Sequence, residues 1–210
     1  PNRLSVNALT ATDGARGLRN TRVFAEGLFE FQDASSQAIV EGLPQARTAL
    51  DYCAGGGGKA LAMAARGMKV TAHDAAPDRM ADLPVRAKRA GISVDLWPAS
   101  RGAKFDMVLV DAPCSGSGAW RRAPEGKWRL TERGLMDLTK LQVKIVQEAS
   151  DYVSENGALI YATCSVLRCE NEDQVDAISQ GLPGWRCSYQ QRLPVSDGGD
   201  GFFWAHFIRV

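Results

Sequence analysis

The sequence predicts an α/β fold: a doubly wound sheet, mostly parallel, with an antiparallel strand near the C-terminus. Three observations carry that expectation. Apolar runs such as Phe105-Asp-Met-Val-Leu-Val-Asp111 are nearly continuous, amphipathic segments alternate with them, and four consecutive glycines follow the first run. Apolar strands alternating with helices describe a sheet covered on both faces, which needs parallel crossovers. Such sheets bind ligands beyond the carboxyl ends of their strands, at the switch point, so the residues after each strand decide function.

The elements follow in order. Residues 1–30 carry four arginines (Arg3, Arg16, Arg19, Arg22) against one aspartate, Asp13. They read as a locally basic N-terminal extension or the remnant of a preceding module, with 31–210 as the domain proper. Over 32–43, Asp33, Ser35 and Ser36 offer caps before Ala38, Ile39 and Leu43, which predicts a helix. The first strand falls at 48–53, followed by an alanine-rich helix at 58–66. A second strand at 68–73 leads to a helix over 77–90, opened by Pro77 and Asp78. Short and long strands follow at 92–96 and 105–111. A long helical pattern over 131–154 is stopped by Asn156-Gly157, with a strand at 158–162 and a helix at 170–178 beyond it. Segments 185–190 and 202–210 close the fold as an antiparallel pair.

At 210 residues the chain can bury most of its apolar surface within one larger domain. Hydrophobic residues at 45% and charged residues at 23% exclude a disordered or fibrous protein. The 25 basic and 24 acidic side chains nearly cancel, so whole-chain charge does not announce a nucleic-acid partner. No apolar run nears the ~18 residues of a membrane span. Five cysteines, an odd number without a Cys-x-x-Cys, suit a reducing compartment better than a disulfide framework. A cytoplasmic monomer is expected. The sequence opens on Pro1 rather than Met, so the natural start is expected upstream.

After the first strand comes Cys53-Ala54-Gly55-Gly56-Gly57-Gly58-Lys59. Glycines let the backbone approach a ligand closely and turn sharply into a helix N-terminus. A triphosphate P-loop is excluded, because Cys53 stands where its leading glycine belongs and Ala60 where its Ser/Thr belongs. After the second strand sits Asp74, at the distance from the turn where an acid accepts hydrogen bonds from ribose hydroxyls. Turn and acid together favour a nucleoside cofactor without separating a nicotinamide from an S-adenosyl group.

The fourth strand ends in Asp111-Ala112-Pro113-Cys114-Ser115-Gly116-Ser117-Gly118, the fifth in Thr163-Cys164-Ser165. A lone cysteine is usually a small buried hydrophobe. Two thiols leaving buried strands at one sheet edge point to chemistry. Cys169 and Cys187 read as structural, and His73 and His206 have no partner at ligand spacing, so no metal site is expected. From Trp120 to Lys144 there are seven basic and three acidic side chains, a local excess of four. Within that stretch Arg121, Arg122, Trp128 and Arg129 are candidates to neutralise phosphates and stack on unpaired bases. The competing reading is a solvated loop with Trp128 tucked into the core.

Gln32-Asp33-Ala34-Ser35-Ser36-Gln37, the run from Cys53 to Lys59 and the run from Asp111 to Gly118 form one set of motifs. Arg121-Arg122-x-Pro124, Trp128-Arg129, Thr163-Cys164-Ser165, Glu170-Asn171-Glu172 and Asp200-Gly201-Phe202-Phe203 complete it. The set resembles the RsmB/Sun/Nop-type RNA cytosine-5 methyltransferases, over about residues 24 to 210. The resemblance implies a Rossmann-like methyltransferase sheet. It implies S-adenosylmethionine held by Cys53, Ala54, Gly55, Gly56, Gly57, Gly58, Lys59 and Asp74, with Asp111 beside the methionine end and the target base. It further implies that Cys164 is the nucleophile, Cys114 assists product release and Lys59 supports the active site. The substrate so implied is RNA, ribosomal (16S) before transfer RNA, methylated at cytosine carbon 5 through a cysteine–C6 adduct.

The family usually has Ala-Pro where Gly55-Gly56 stand, so the turn here is looser. Pro98, Ala99 and Ser100 follow the third strand without an acid or amide, leaving the adenine contacts unassigned. Family members commonly carry an N-terminal RNA-binding module, and this chain is expected to begin after or inside it. Two other classes stay open: an RNA-binding scaffold without catalysis, and a nicotinamide-dependent oxidoreductase, which leaves both thiols unexplained.

Overall fold

Residues 1–98, 102–196 and 198–210 are described by a computed structural model. The chain begins with a short helix α1 (Arg22–Ala25) and α2 (Ala34–Glu41), the latter capped by Asp33, whose side chain accepts the Ser35 N–H. There follow β1 (Thr48–Asp51), α3 (Gly58–Ala65), β2 (Lys69–Ala72), α4 (Leu83–Arg89), β3 (Val94–Leu96) and β4 (Phe105–Asp111). Next come α5 (Glu125–Arg129), α6 (Glu132–Ser150), β5 (Val153–Thr163), α7 (Glu172–Gly181), β6 (Trp185–Leu193) and β7 (Phe202–Arg209).

The seven strands form one sheet in the order β3-β2-β1-β4-β5-β7-β6. From β3 to β5 every neighbouring pair is parallel, while β7 pairs antiparallel with both β5 and β6. Strand order reverses between β1 and β4, which makes the carboxyl ends of those two strands the switch point. Alternation along β4 serves both faces. Met107 and Leu109 pack among Ile39, Leu61, Met63 and Leu83 under α2, α3 and α4. Val108 and Val110 pack with Val146, Ala149, Ile178 and Phe207 under α6 and α7. The core thus clamps β4 from both sides and leaves only Asp106 near its start and Asp111 at its end partly open.

Several elements differ from the sequence expectation, and four of the differences have a local cause. The helix expected over 77–90 is a 3-10 turn (Pro77–Met80) followed by α4, because Pro84 lacks the N–H an earlier start would require there. The helix expected to run to 154 ends at Ser150. Tyr152 instead accepts the Phe105 N–H at 2.8 Å, and Val153 enters the core as the first residue of β5. Asn156-Gly157 lies inside that strand, at a register shift opposite Phe105 and Met107; a side chain at 157 would meet the Asp106 carbonyl at 2.9 Å. A short helix, α5, was not expected, since Pro124 and Gly126 read as a turn.

The opening segment packs against the domain. Phe24, Phe29 and Phe31 cluster at ring distances of 5.4–5.5 Å, and Glu30 pairs with Arg86 and Arg89 of α4. Glu26 pairs with Arg22, so two carboxylates offset much of the arginine excess expected over 1–30.

Candidate active site

The glycine run turns the chain from β1 into α3. Gly57 is the left-handed residue at the helix start, with φ 77°, and a Cβ there would meet Leu83 Cδ1 at 2.4 Å. Gly55 is also left-handed, with φ 53°. Its N–H donates to Asp74 at 2.8 Å, and Arg79 pairs with the same carboxylate oxygen at 3.3 Å. Arg86 donates to the Gly56 carbonyl, tying α4 to the turn. The acid expected for ribose therefore also braces the glycine turn. Ala99 and Ser100, which follow the third strand where no adenine contact was assigned, lie outside the described residues.

Lys59 sits in the first turn of α3 and is buried by the closing hairpin: its Nζ lies 4.9 Å from the Phe202 ring centre. It donates to Asp111 Oδ2 at 2.6 Å across the switch point. Burial penalises the ammonium, but the Asp111 charge and hydrogen bond outweigh that and hold the Lys59 pKa above its ordinary value. Asp51, the last residue of β1, is 1% exposed, and neither carboxylate oxygen has a donor within hydrogen-bonding geometry. Burial, reinforced by the nearby Asp111, pushes its pKa up to about 7. Cys53 is pushed up to about 12, again chiefly by burial, so it is an inert thiol lining the turn.

The two strand-end loops bring Cys114 and Cys164 to 3.4 Å between sulfurs. Their environments differ. The hydrogen bond from Cys114 lowers the Cys164 pKa, with Lys59 adding to that effect against burial. Cys114 is raised by the same hydrogen bond, by burial and by the charge of Glu170. The arrangement favours the anionic form of Cys164 over that of Cys114.

Glu170 holds the two loops together and is the residue sequence reasoning missed most. It is fully buried and accepts the Ser115 N–H at 2.8 Å, Gln142 Nε2 at 3.0 Å and Ser165 Oγ at 2.6 Å, as well as the Ser115 hydroxyl. Asn171 accepts from Thr163 at 2.7 Å and donates to the Ser165 carbonyl at 3.0 Å. The Glu170-Asn171 pair was visible as a motif, but its contacts lie across the fold. Among the described residues, no group of three His, Cys, Asp or Glu side chains is placed to hold a metal ion.

Of the expected RNA contacts, two face solvent and two are engaged. Trp128 is 82% exposed on α5, not tucked into the core, and Arg129 beside it is exposed. Lys127 Nζ lies 5.5 Å from the Trp128 ring centre. Arg121 bridges Asp33 at 3.1 Å and the fully buried Asp200 at 3.0 Å, and Arg122 meets Asp200 at 2.7 Å. These arginines tie the N-terminus of α2 and the closing hairpin to the loop after Cys114.

Strand order, a glycine turn at the switch point and a β7 running against its neighbours define a Rossmann-like methyltransferase fold. The family model described as 16S rRNA methyltransferase RsmB/F matches residues 42–208. Ribosomal RNA small subunit methyltransferase B of Salmonella arizonae is 38% identical over 206 residues, covering 89% of this chain and 48% of its own length. Among solved structures, PH0851 superposes with a TM-score of 0.81 at 28% identity, covering 90% of this chain and 49% of that one. NSun6 from Pyrococcus horikoshii, solved with SFG, has a TM-score of 0.76 at 24% identity, covering 91% of this chain and 56% of that one. The chain belongs to the RsmB/F family of S-adenosylmethionine-dependent methyltransferases. It spans about half the length of the curated relatives it matches.

Proposed function

We propose that this chain transfers a methyl group from S-adenosylmethionine to carbon 5 of a cytosine in RNA, through a covalent bond between Cys164 and carbon 6. A 16S ribosomal RNA substrate is favoured by the family description and by the Salmonella relative's name. The observation that carries the chemistry is the Cys114–Cys164 pair, 3.4 Å apart, beside the buried Lys59–Asp111 ion pair.

The residues present fit S-adenosylmethionine. The buried Asp51 carboxylate has no donor of its own, which suits the cofactor's ammonium and sulfonium charges. Asp74 stands where ribose hydroxyls would fall, and the glycine turn leaves backbone room beside them. When bound, the cofactor supplies an electrophilic methyl group.

Cytosine carbon 5 is too weak a nucleophile to take that methyl group unaided. Addition of the Cys164 thiolate at carbon 6 breaks the ring's aromaticity and places the displaced electron pair on carbon 5 and N3. Asp111, at the strand end between turn and thiols, accepts a hydrogen bond from N3 once that nitrogen takes a proton from solvent, and so stabilises the adduct. After transfer, solvent water takes the carbon 5 proton, and the electron pair of that C–H bond re-forms the C5–C6 double bond as the sulfur–carbon bond breaks and Cys164 leaves as thiolate. Cys114, held as a thiol against Cys164, assists that release. The rigid strand ends align carbon 5 with the methyl group. The base must be unpaired or flipped out to reach this depth. Trp128, Lys127 and Arg129 receive the RNA around it, while Arg121 and Arg122 fix the loop that presents Cys114.

Incubation with labelled S-adenosylmethionine and unmodified ribosomal RNA, followed by nucleoside analysis, tests the reading. Label in 5-methylcytosine is expected. Label only in another nucleoside would overturn the chemistry.

A further inference from the structure

Glu170 raises a question the reaction reading does not answer. It is fully buried, yet among the described residues no lysine or arginine pairs with it. Four hydrogen bonds satisfy its oxygens instead, from Ser115 N, Ser115 Oγ, Ser165 Oγ and Gln142 Nε2. All four are donated to Glu170, two to each oxygen, so the site calls for a pair of acceptor oxygens and a carboxylate supplies them.

Its position supplies the reason. Ser115 follows Cys114 and Ser165 follows Cys164, so a single carboxylate grips both thiol loops one residue beyond each sulfur. Two thiols at 3.4 Å titrate as a pair, and nothing in their chemistry alone decides which keeps the proton. The surroundings are asymmetric. The Glu170 carboxylate acts on Cys114, whose loop it grips through Ser115, and Cys164 instead feels Asp111, Lys59 and Asp200, whose charges of opposite sign partly offset. Glu170 thus bears on one thiol of the pair, which breaks its symmetry.

The geometry points to Glu170 as a positioning residue that assigns the two roles: through Ser115 and Ser165 it locks both loops in register, and its charge keeps the shared proton on Cys114. The roles so assigned, nucleophile and releasing thiol, rest on the cytosine-5 reading above; the ordering of the thiols themselves does not.

The test is alkylation of the 210-residue protein by iodoacetamide across about pH 6 to 9, where thiolate is the reacting form, with Cys114 and Cys164 scored separately by peptide mass spectrometry. In the unmodified chain Cys164 should react ahead of Cys114 and extend its reactivity to lower pH. Glu170→Gln keeps the shape but removes the charge, and should shrink that preference by about tenfold, the equivalent of one pKa unit. Glu170→Asp, which keeps the charge, should recover most of it. A folded Glu170→Gln with the original order and pH profile would overturn the inference. Where Glu170→Gln does not fold, Ser115→Ala and Ser165→Ala decide: each should weaken the preference roughly threefold, in line with one lost hydrogen bond, and an unchanged preference in both overturns it. Labelling needs neither RNA nor cofactor. Order that depends on Glu170 without any methyl transfer sinks the reaction reading alone; methyl transfer with order indifferent to Glu170 sinks this inference alone.

Discussion

Replacing Asp51 by Asn should make the protein more stable and less able to bind its cofactor, and the gain should depend on pH. Asp51 is buried, and its pKa is raised from 3.8 to about 7, chiefly by burial and then by Asp111, against the Lys59 charge and the Ala60 N–H. Between those values the folded chain binds a proton that the unfolded chain has released. Stability from this group is therefore fully present below about pH 4 and is lost as pH rises through 7. At 1.36 kcal/mol per unit, a shift from 3.8 to about 7 corresponds to about 4 kcal/mol. Asn titrates nowhere in this range. Urea unfolding of both proteins at intervals from about pH 4 to 8 should show the difference growing by several kcal/mol in favour of Asn. A difference that stays flat across the range would refute the reasoning. The same protonation links to binding: a cationic ligand settling on Asp51 near pH 6 should expel its proton. The calorimetric heat of S-adenosylmethionine binding should then vary with the ionisation enthalpy of the buffer, and Asp51→Asn should remove that variation.

Three further outcomes are expected. Cys164→Ala should abolish methyl transfer while retaining cofactor binding, whereas Cys114→Ala should accumulate a covalent protein–RNA adduct on denaturing gels; unchanged turnover in both would exclude the two-thiol mechanism. Gly57→Ala forces a left-handed residue with φ 77° and drives a methyl group into Leu83. At ~1–2 kcal/mol for the backbone and ~1–3 for overpacking, its melting temperature should fall by roughly 5–15 °C. Trp128→Ala should weaken RNA binding by ~1–3 kcal/mol, the worth of one stacked base, while leaving thermal unfolding where it was, because the ring is 82% exposed. A shifted melting point would mean the ring packs rather than stacks.

The sheet was legible because its signals are local. An uninterrupted apolar run such as Phe105–Asp111 can only be a strand buried on both faces, and its observed bounds match the expected ones. Boundaries failed where two local signals competed. Pro77 and Pro84 both offer a helix start, and the later one prevails because it is the second that would break a continuous helix. Asn156-Gly157 reads as a stop, yet β5 runs through it because the glycine fits against the Asp106 carbonyl at a bulge. Within the site, the glycine turn and both thiols were readable from their places after strands. Asp51 was not, since a carboxylate closing a strand shows its lack of a partner only once the fold surrounds it. Nor could the sequence reveal that Arg121 and Arg122 pair with Asp33 and Asp200, 88 and 78 positions away.

Among the described residues the buried charged side chains are Asp51, Lys59, Asp74, Glu170 and Asp200, four carboxylates to one ammonium. A chain selected for stability alone would not bury such an excess, because each unpaired charge loses its hydration. Each carboxylate is compensated differently. Asp200 draws in Arg121 and Arg122 from the surface, Asp74 takes the Gly55 N–H and Arg79, and Glu170 is satisfied by neutral donors. Lys59 pairs with Asp111, and for Asp51 the Lys59 charge and the Ala60 N–H offset burial only in part. The least compensated carboxylate thus lies at the carboxyl end of β1, beside the glycine turn, where a ligand carrying positive charge would supply what the protein withholds.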